Sequence, residues 1–233
     1  MDLLNILKII TTIITAVIAL IIGLRVLLLN KRDLLNRWFA LYFISSSLGF
    51  FIYAIYHLIL NNPVIIIPLM ITTHIFFNFN SISLVMTLFV LEKHTKIAMG
   101  MKYLGTMLFL FFVMSIGYFI FPPYLDMGDY ALRIVNTHTP LGLLIFVNAV
   151  RIFLTAFAAY RYIGITKKIE DDTRKIEGET RNRLKWFSIG VILFILGIFI
   201  NVIGGIFSLI AIEILALIII DIGALVVLKG FLI

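Results

Sequence analysis

The chain has 233 residues, 62% of them hydrophobic and only 13% charged, with a formal net charge of +7, no cysteine and a mean hydropathy of +1.14. A soluble domain of this length carries roughly a quarter charged residues to keep its surface wet, so the composition excludes one and points to a membrane protein. Disulfides, thiolate metal sites and cysteine nucleophiles are excluded outright, and the surplus Lys and Arg gather at the ends of apolar runs, where membrane topology explains them without nucleic acid as a partner.

A helix that crosses a bilayer needs about 20 mostly apolar residues. Seven candidate runs follow one another near residues 7–29, 38–60, 64–91, 102–121, 140–163, 185–206 and 209–228. The first is too long for the apolar core of a signal peptide and leads into a basic cluster, so it is expected to stay as an anchor. "NNP" at 61–63, "FPP" at 121–123 and "HTP" at 138–140 are turn or helix-start chemistry. Between the last two runs only Gly204, Gly205 and Ser208 mark a boundary. A single kinked helix is the alternative there, but roughly 45 apolar residues cannot stay inside one ~30 Å core. The expected fold class is therefore all-α: a polytopic membrane protein, one seven-transmembrane-helix bundle over 1–233, with the lipid bilayer as its surroundings.

Orientation follows from the basic residues. Lys31, Arg32 and Arg37 follow the first run, Lys93, Lys96 and Lys102 the third, and Lys167, Lys168, Arg174, Lys175, Arg181, Arg183 and Lys185 the fifth, whereas the opposite side offers Lys8 and Arg133. The positive-inside rule places the N-terminus outside and the C-terminus in the cytoplasm, with Trp38 and Trp186 as anchors at the cytoplasmic interface. The cell membrane is the expected location.

The longest connection, "ITKKIEDDTRKIEGETRNRLKW" at 165–186, has Glu170 four residues before Arg174 and Glu177 four before Arg181, which supports helix by pairing across one turn. It is expected to extend the fifth and sixth spans and to break near Gly178. It reads either as a solvated hairpin or as a docking surface for a cytoplasmic signalling protein, through Lys167, Lys168, Arg174, Arg181 and Arg183. On the other side, "YLDMGDYALRIVNTH" at 124–138 is a loop suited to covering the bundle mouth and too short to fold as a ligand-binding domain. "RWFALYFISSSLGFFIYAI" (37–55) aligns with "KWFSIGVILFILGIFINVI" (185–203), and "RVLLLNKR" with "RYIGITKK". These matches suggest weak parallel copies in a 3+1+3 arrangement, the kind some transporters use.

Polar groups at membrane depth cost about 2.5–3.5 kcal/mol when charged and usually face the bundle interior. In "TTHIFFNFNS" at 72–81, His74, Asn78 and Ser81 recur at i, i+4 and i+7, one helix face. The fifth span carries Asn148, Arg151 and Thr155, the sixth Asn201, the seventh Glu213 and Asp221, and the second Tyr53 and His57. Arg151 keeps its charge, so it needs a carboxylate or a polar cavity, and Glu213 or Asp221 is its expected partner with His74 nearby. Candidate ligand or ion-binding residues are thus His74, Asn78, Asn148, Arg151, Asn201, Glu213 and Asp221. The asparagines also read as ordinary interhelical glue, worth about 0.6 kcal/mol each. Gly190, Gly197 and Gly204, spaced by seven, read as a close-packing seam.

Metalloprotease, serine-hydrolase and P-loop motifs and acidic metal clusters are missing, so neither an enzyme nor a cofactor or metal is expected. The only lysine of the last run, Lys229, lies at its cytoplasmic end, which argues against a retinal protein.

Seven helices with an outside N-terminus, an aromatic-rich polar third helix and "RNRLKWFSIGVILFILGIF" leading into the sixth together resemble the seven-helix sensor module at the N-terminus of some membrane histidine kinases. That resemblance covers nearly the whole chain and implies signal reception. In that family an output domain follows the seventh helix; here the sequence ends at "VVLKGFLI", so a signal is expected to leave through 165–186, the other cytoplasmic connections or a partner chain. The leading expectation is a sensor or receptor-like module that binds a small or lipophilic ligand within the bundle. A transporter or channel using a polar midplane site, and a structural subunit of a membrane complex, are the alternatives; homo-oligomers are left open.

Overall fold

The structure, a computed structural model, describes residues 3–59, 61–93, 95–172, 178–207 and 209–232, without the side chains of 166, 168–172, 178–184, 187, 188, 206, 231 and 232. It is all-α apart from one small hairpin. The helices are α1 (Leu3–Leu29), α2 (Leu34–Leu58), α3 (Pro63–Glu92), α4 (Thr95–Ala98), α5 (Thr106–Ile120), α6 (Met127–Ala131), α7 (Leu141–Asp172), α8 (Gly178–Ile206) and α9 (Ile210–Leu232). Six stretches among the described residues are long and apolar enough to cross a bilayer: α1, α2, α3, Thr95–Ile120, Leu141–Ile165 in α7, and Ile210–Gly230 in α9. α8 contributes a shorter apolar stretch, Ile189–Gly205. Large apolar side chains such as Leu24, Ile55, Phe109, Phe153, Leu196 and Ile218 are exposed along these helices. A surface like that is stable only against lipid, so this is a multi-pass membrane protein.

Helix starts follow local chemistry. The Asp33 carboxylate accepts the Leu35 N–H at 3.0 Å and opens α2, and Asn62 accepts the Val64 N–H at 3.2 Å beside Pro63 in the first turn of α3. The run expected from residue 102 begins earlier, at Thr95. Gly100 interrupts it for one extended residue, and a π-helical turn over Met101–Gly105 then leads into α5. Consequently Lys96 and Lys102 sit in helical turns rather than in an open connection. The "IGGIFS" boundary is a true reversal: the Leu209 N–H donates to the Gly204 carbonyl at 2.9 Å, and α9 starts at Ile210.

Six helices close into a ring in the order α1, α2, α3, α7, α8, α9, with α9 packed back on α1. Helices α4 and α5 lie outside it against α3 and α7. Accordingly only 22% of the residues in the most apolar stretch of Thr95–Ile120 are buried, against 56% in α2. The α8–α9 contact is the tightest. A Cβ on Gly190 would lie 2.5 Å from the Val227 amide nitrogen, and one on Gly223 2.6 Å from that of Phe194, so the two backbones touch where glycine permits it.

The segment 121–140 docks on the ends of α2 and α3. Strands β1 (Tyr124–Leu125) and β2 (Thr137–His138) pair antiparallel, and α6 between them is capped by Asp126, which accepts the Gly128 and Asp129 N–H groups at 2.8 and 3.1 Å. Leu125, Tyr130 and Val135 pack on Tyr56, Ile66 and Met70. Those backbone donors hold the Asp126 carboxyl below its usual range, and the facing His138 adds to the effect.

Candidate functional site

Three clusters hold most of the ionisable residues expected at the site. The largest is centred on Arg151 of α7. Its Nε and Nη2 donate to Asn78 Oδ1 of α3 at 3.0 and 2.7 Å, and Nη2 also donates to the His74 carbonyl at 3.1 Å. The His74 ring nitrogen Nδ1 lies 3.4 Å from Nη2 and can only accept from it, since a guanidinium has no lone pair to offer. The other end of the Asn78 amide donates to Ser115 of α5 at 3.3 Å, which fixes the amide so that its oxygen faces the arginine. Tyr118 stacks flat on His74, centroids 4.9 Å apart, and its hydroxyl is a further neighbour of the guanidinium. The Phe77 ring lies 6.0 Å from the guanidinium carbon.

The other two groups lie on the opposite side of the ring. Lys8 of α1 pairs with Glu213 of α9, both side chains mostly buried, and the Lys8 ammonium sits 5.3 Å from the Tyr53 ring centre. Further along the same interface, Thr15 Oγ1 donates to Asp221 Oδ2 at 3.1 Å, while Asp221 Oδ1 has no hydrogen-bond partner among the described residues.

The expected pairing of Arg151 with Glu213 or Asp221 is therefore wrong. In the ring α8 stands between α7 and α9, and both carboxylates turn to α1 instead. Of the remaining expected residues, His74 and Asn78 join Arg151 as foreseen, Asn201 belongs to the cavity described next, and Asn148 is half-buried and belongs to neither. Among the docking candidates Lys167 is exposed; Arg174 and the side chains of Lys168, Arg181 and Arg183 lie outside the described residues.

Arg151 borders a cavity of about 100 Å3 at the centre of the ring. Its walls come from Tyr42, Ser46 and Phe50 of α2, Phe77, Asn80, Ser81 and Leu84 of α3, Arg151, Ile152 and Thr155 of α7, Phe194, Ile198, Asn201 and Val202 of α8, and Ile220 of α9. Of these, Tyr42 and Phe194 stack edge to face with centroids 5.3 Å apart, and Phe43 packs edge to face on both at 5.1 and 5.9 Å. Asn80 Nδ2 donates to Ser46 Oγ across α2 and α3. Asn80 and Ser46 escaped the sequence reading because the i, i+4, i+7 rule followed the Arg151-facing stripe of α3 and skipped its neighbour; the signal was a second amide, two residues after Asn78, in one apolar run. Three or more His, Cys, Asp or Glu side chains do not come together anywhere among the described residues, so no metal site is formed there.

The site holds a cation whose neighbours are neutral, beside a largely apolar cavity with a few convergent polar groups, the usual make-up of a small-molecule pocket. No family model matches the chain, and no match to it was found among curated proteins.

Proposed function

We propose that the chain is a membrane sensor or receptor-like module, a seven-helix bundle with its N-terminus outside and C-terminus in the cytoplasm, which binds a small or lipophilic ligand in the Arg151 cavity. One observation carries this reading: Arg151, at membrane depth, is braced by Asn78 and His74 at the edge of a cavity and pairs with no carboxylate among the described residues. Intramembrane charges held this way mark ligand or ion sites. In this reading α8 is the sixth of seven spans, supported by its glycine seam with α9, and the basic residues that follow α1 and α3 and fill 165–186 face the cytoplasm.

The cavity sits between α7 and α8, which continue to Asp172 and from Gly178. Asp172 lies about 25 Å beyond Thr155 at 1.5 Å per residue. A ligand touching both helices shifts their arrangement by whatever it contacts differently in the two states, and the 165–186 connection passes this to a cytoplasmic partner, as the resemblance to kinase sensor modules implies. Purified protein in liposomes is then expected to carry no solute or proton flux, and crosslinkers placed in 165–186 recover a cytoplasmic protein. Flux that Arg151→Gln abolishes in an inserted protein refutes the sensor.

A transporter is the second reading, favoured by the ring order. Two three-helix units related by a two-fold axis along the bundle, α1–α2–α3 and α7–α8–α9 with α4–α5 as linker, generate this circular sequence. The matches of residues 25–55 with 161–203 follow the same pairing. Flux through the cavity is the result that selects it.

A further inference from the structure

We propose that the cavity takes a small amphipathic carboxylate, with the carboxylate on Arg151 and the apolar body between Phe50 and Phe194. The proposal rests on the reading of the cavity as a ligand site and names its ligand class. Arg151 is always charged. Among the described residues the carboxylates of the spanning segments face other helices: Glu213 pairs with Lys8, Asp221 accepts from Thr15 through one oxygen, and Glu92 pairs with Arg161 at 2.6 Å. Asn78 and His74 accept from Nε and Nη2, the Tyr118 hydroxyl is a further neutral partner, and Arg151 still lines the cavity. A guanidinium braced by neutral groups at the wall of a cavity is preorganised for a planar two-oxygen anion.

The rest of the cavity sets the remainder of the ligand. Beyond the arginine the walls are mainly rings and aliphatic chains, with Asn201 and the Asn80–Ser46 pair as isolated polar points. A bare halide would leave those apolar walls unused. A diacyl phospholipid is too large for about 100 Å3, well under the roughly 300–1,000 Å3 of a drug-sized site. A cation is repelled by Arg151. A short-chain or small aromatic monocarboxylate meets all three conditions.

The test uses the full chain in zwitterionic nanodiscs and three six-carbon probes, hexanoate, hexanol and hexylamine, titrated calorimetrically against empty nanodiscs. Hexanoate is expected to bind saturably, hexanol at least tenfold more weakly, and hexylamine not at all. Arg151→Gln lowers hexanoate to the level of hexanol and leaves hexanol unchanged, whereas Ile198→Trp, which fills the cavity, removes both. Equal binding of hexanoate and hexanol, or unchanged hexanoate binding by R151Q, overturns the carboxylate while the ligand cavity stands. If no probe binds above the empty-nanodisc level, the ligand-site reading falls with it. Should R151Q fail to elute as the intact protein, the comparison of the three probes on the unaltered chain decides the matter alone.

Discussion

Replacing Asn78 with Leu removes the acceptor of two of the arginine's three close hydrogen bonds, at 3.0 and 2.7 Å, and leaves the His74 carbonyl at 3.1 Å. Bonds to a charged group contribute about 1.5–3 kcal/mol each in soluble proteins. Two that share one oxygen count for less than double, and side-chain bonds between membrane helices average only about 0.6 kcal/mol with a maximum near 1.7. Arg151 cannot escape by losing its proton, so the upper part of that range applies, and Asn78→Leu is expected to destabilise the bundle by about 2–3 kcal/mol. In an Arg151→Met background the same change leaves only the Ser115 contact to lose and costs under about 1 kcal/mol, a coupling of at least about 1.5 kcal/mol. Reversible denaturation in mixed micelles, followed by Trp38 and Trp186 fluorescence, measures all four corners of the cycle. Additivity within about 0.5 kcal/mol refutes the claim that Asn78 serves the charge of Arg151.

The remaining elements give sharper contrasts. Lys8→Met strands Glu213 in a mostly buried place and is expected to cost about 3 kcal/mol, the lower end for breaking a buried pair, while the swapped pair Lys8→Glu with Glu213→Lys recovers most of it in the same denaturation assay. Gly190→Ala drives a Cβ to 2.5 Å from the Val227 amide nitrogen and should cost about 1–3 kcal/mol, whereas Gly164→Ala, with open space around its Cβ, should stabilise α7 by about 0.5–1 kcal/mol. The folded carboxyl of Asp126 is held below its unfolded value, so its contribution is complete above the unfolded pKa near 4 and fades as pH falls through the lower folded value. The Gly128 amide shift in an NMR titration is expected to move only below about pH 4, and Asp126→Asn to abolish that movement.

Much of this molecule is legible in its sequence because lipid is a severe solvent: apolar runs of sufficient length have to become helices, and "NNP", "FPP" and "HTP" have to end or start them. The meeting of His74, Asn78 and Arg151 is legible for the same reason, since costly groups at similar heights seek one another. Circular order is another matter. Counting rise along each helix gives height and nothing about azimuth, so Glu213 and Asp221 looked available to Arg151 although α8 intervenes. Lys8 was read as a topological charge because it lies near the chain start, yet it is the partner of Glu213. Asn80 and Ser46 were missed because one face of α3 was followed where two are polar.

Ligand-driven movement of α7 against α8 is the central claim, and a spin-label distance measures it most directly. Because the chain has no cysteine, Tyr160→Cys and Ile192→Cys place labels on exposed positions of α7 and α8 without background. In liposomes given hexanoate, a sensor shifts the distance distribution between these labels, the shift disappears in Arg151→Gln, and no hexanoate gathers in the lumen. An unmoved distance at saturating hexanoate, or hexanoate accumulating inside the vesicles, contradicts it.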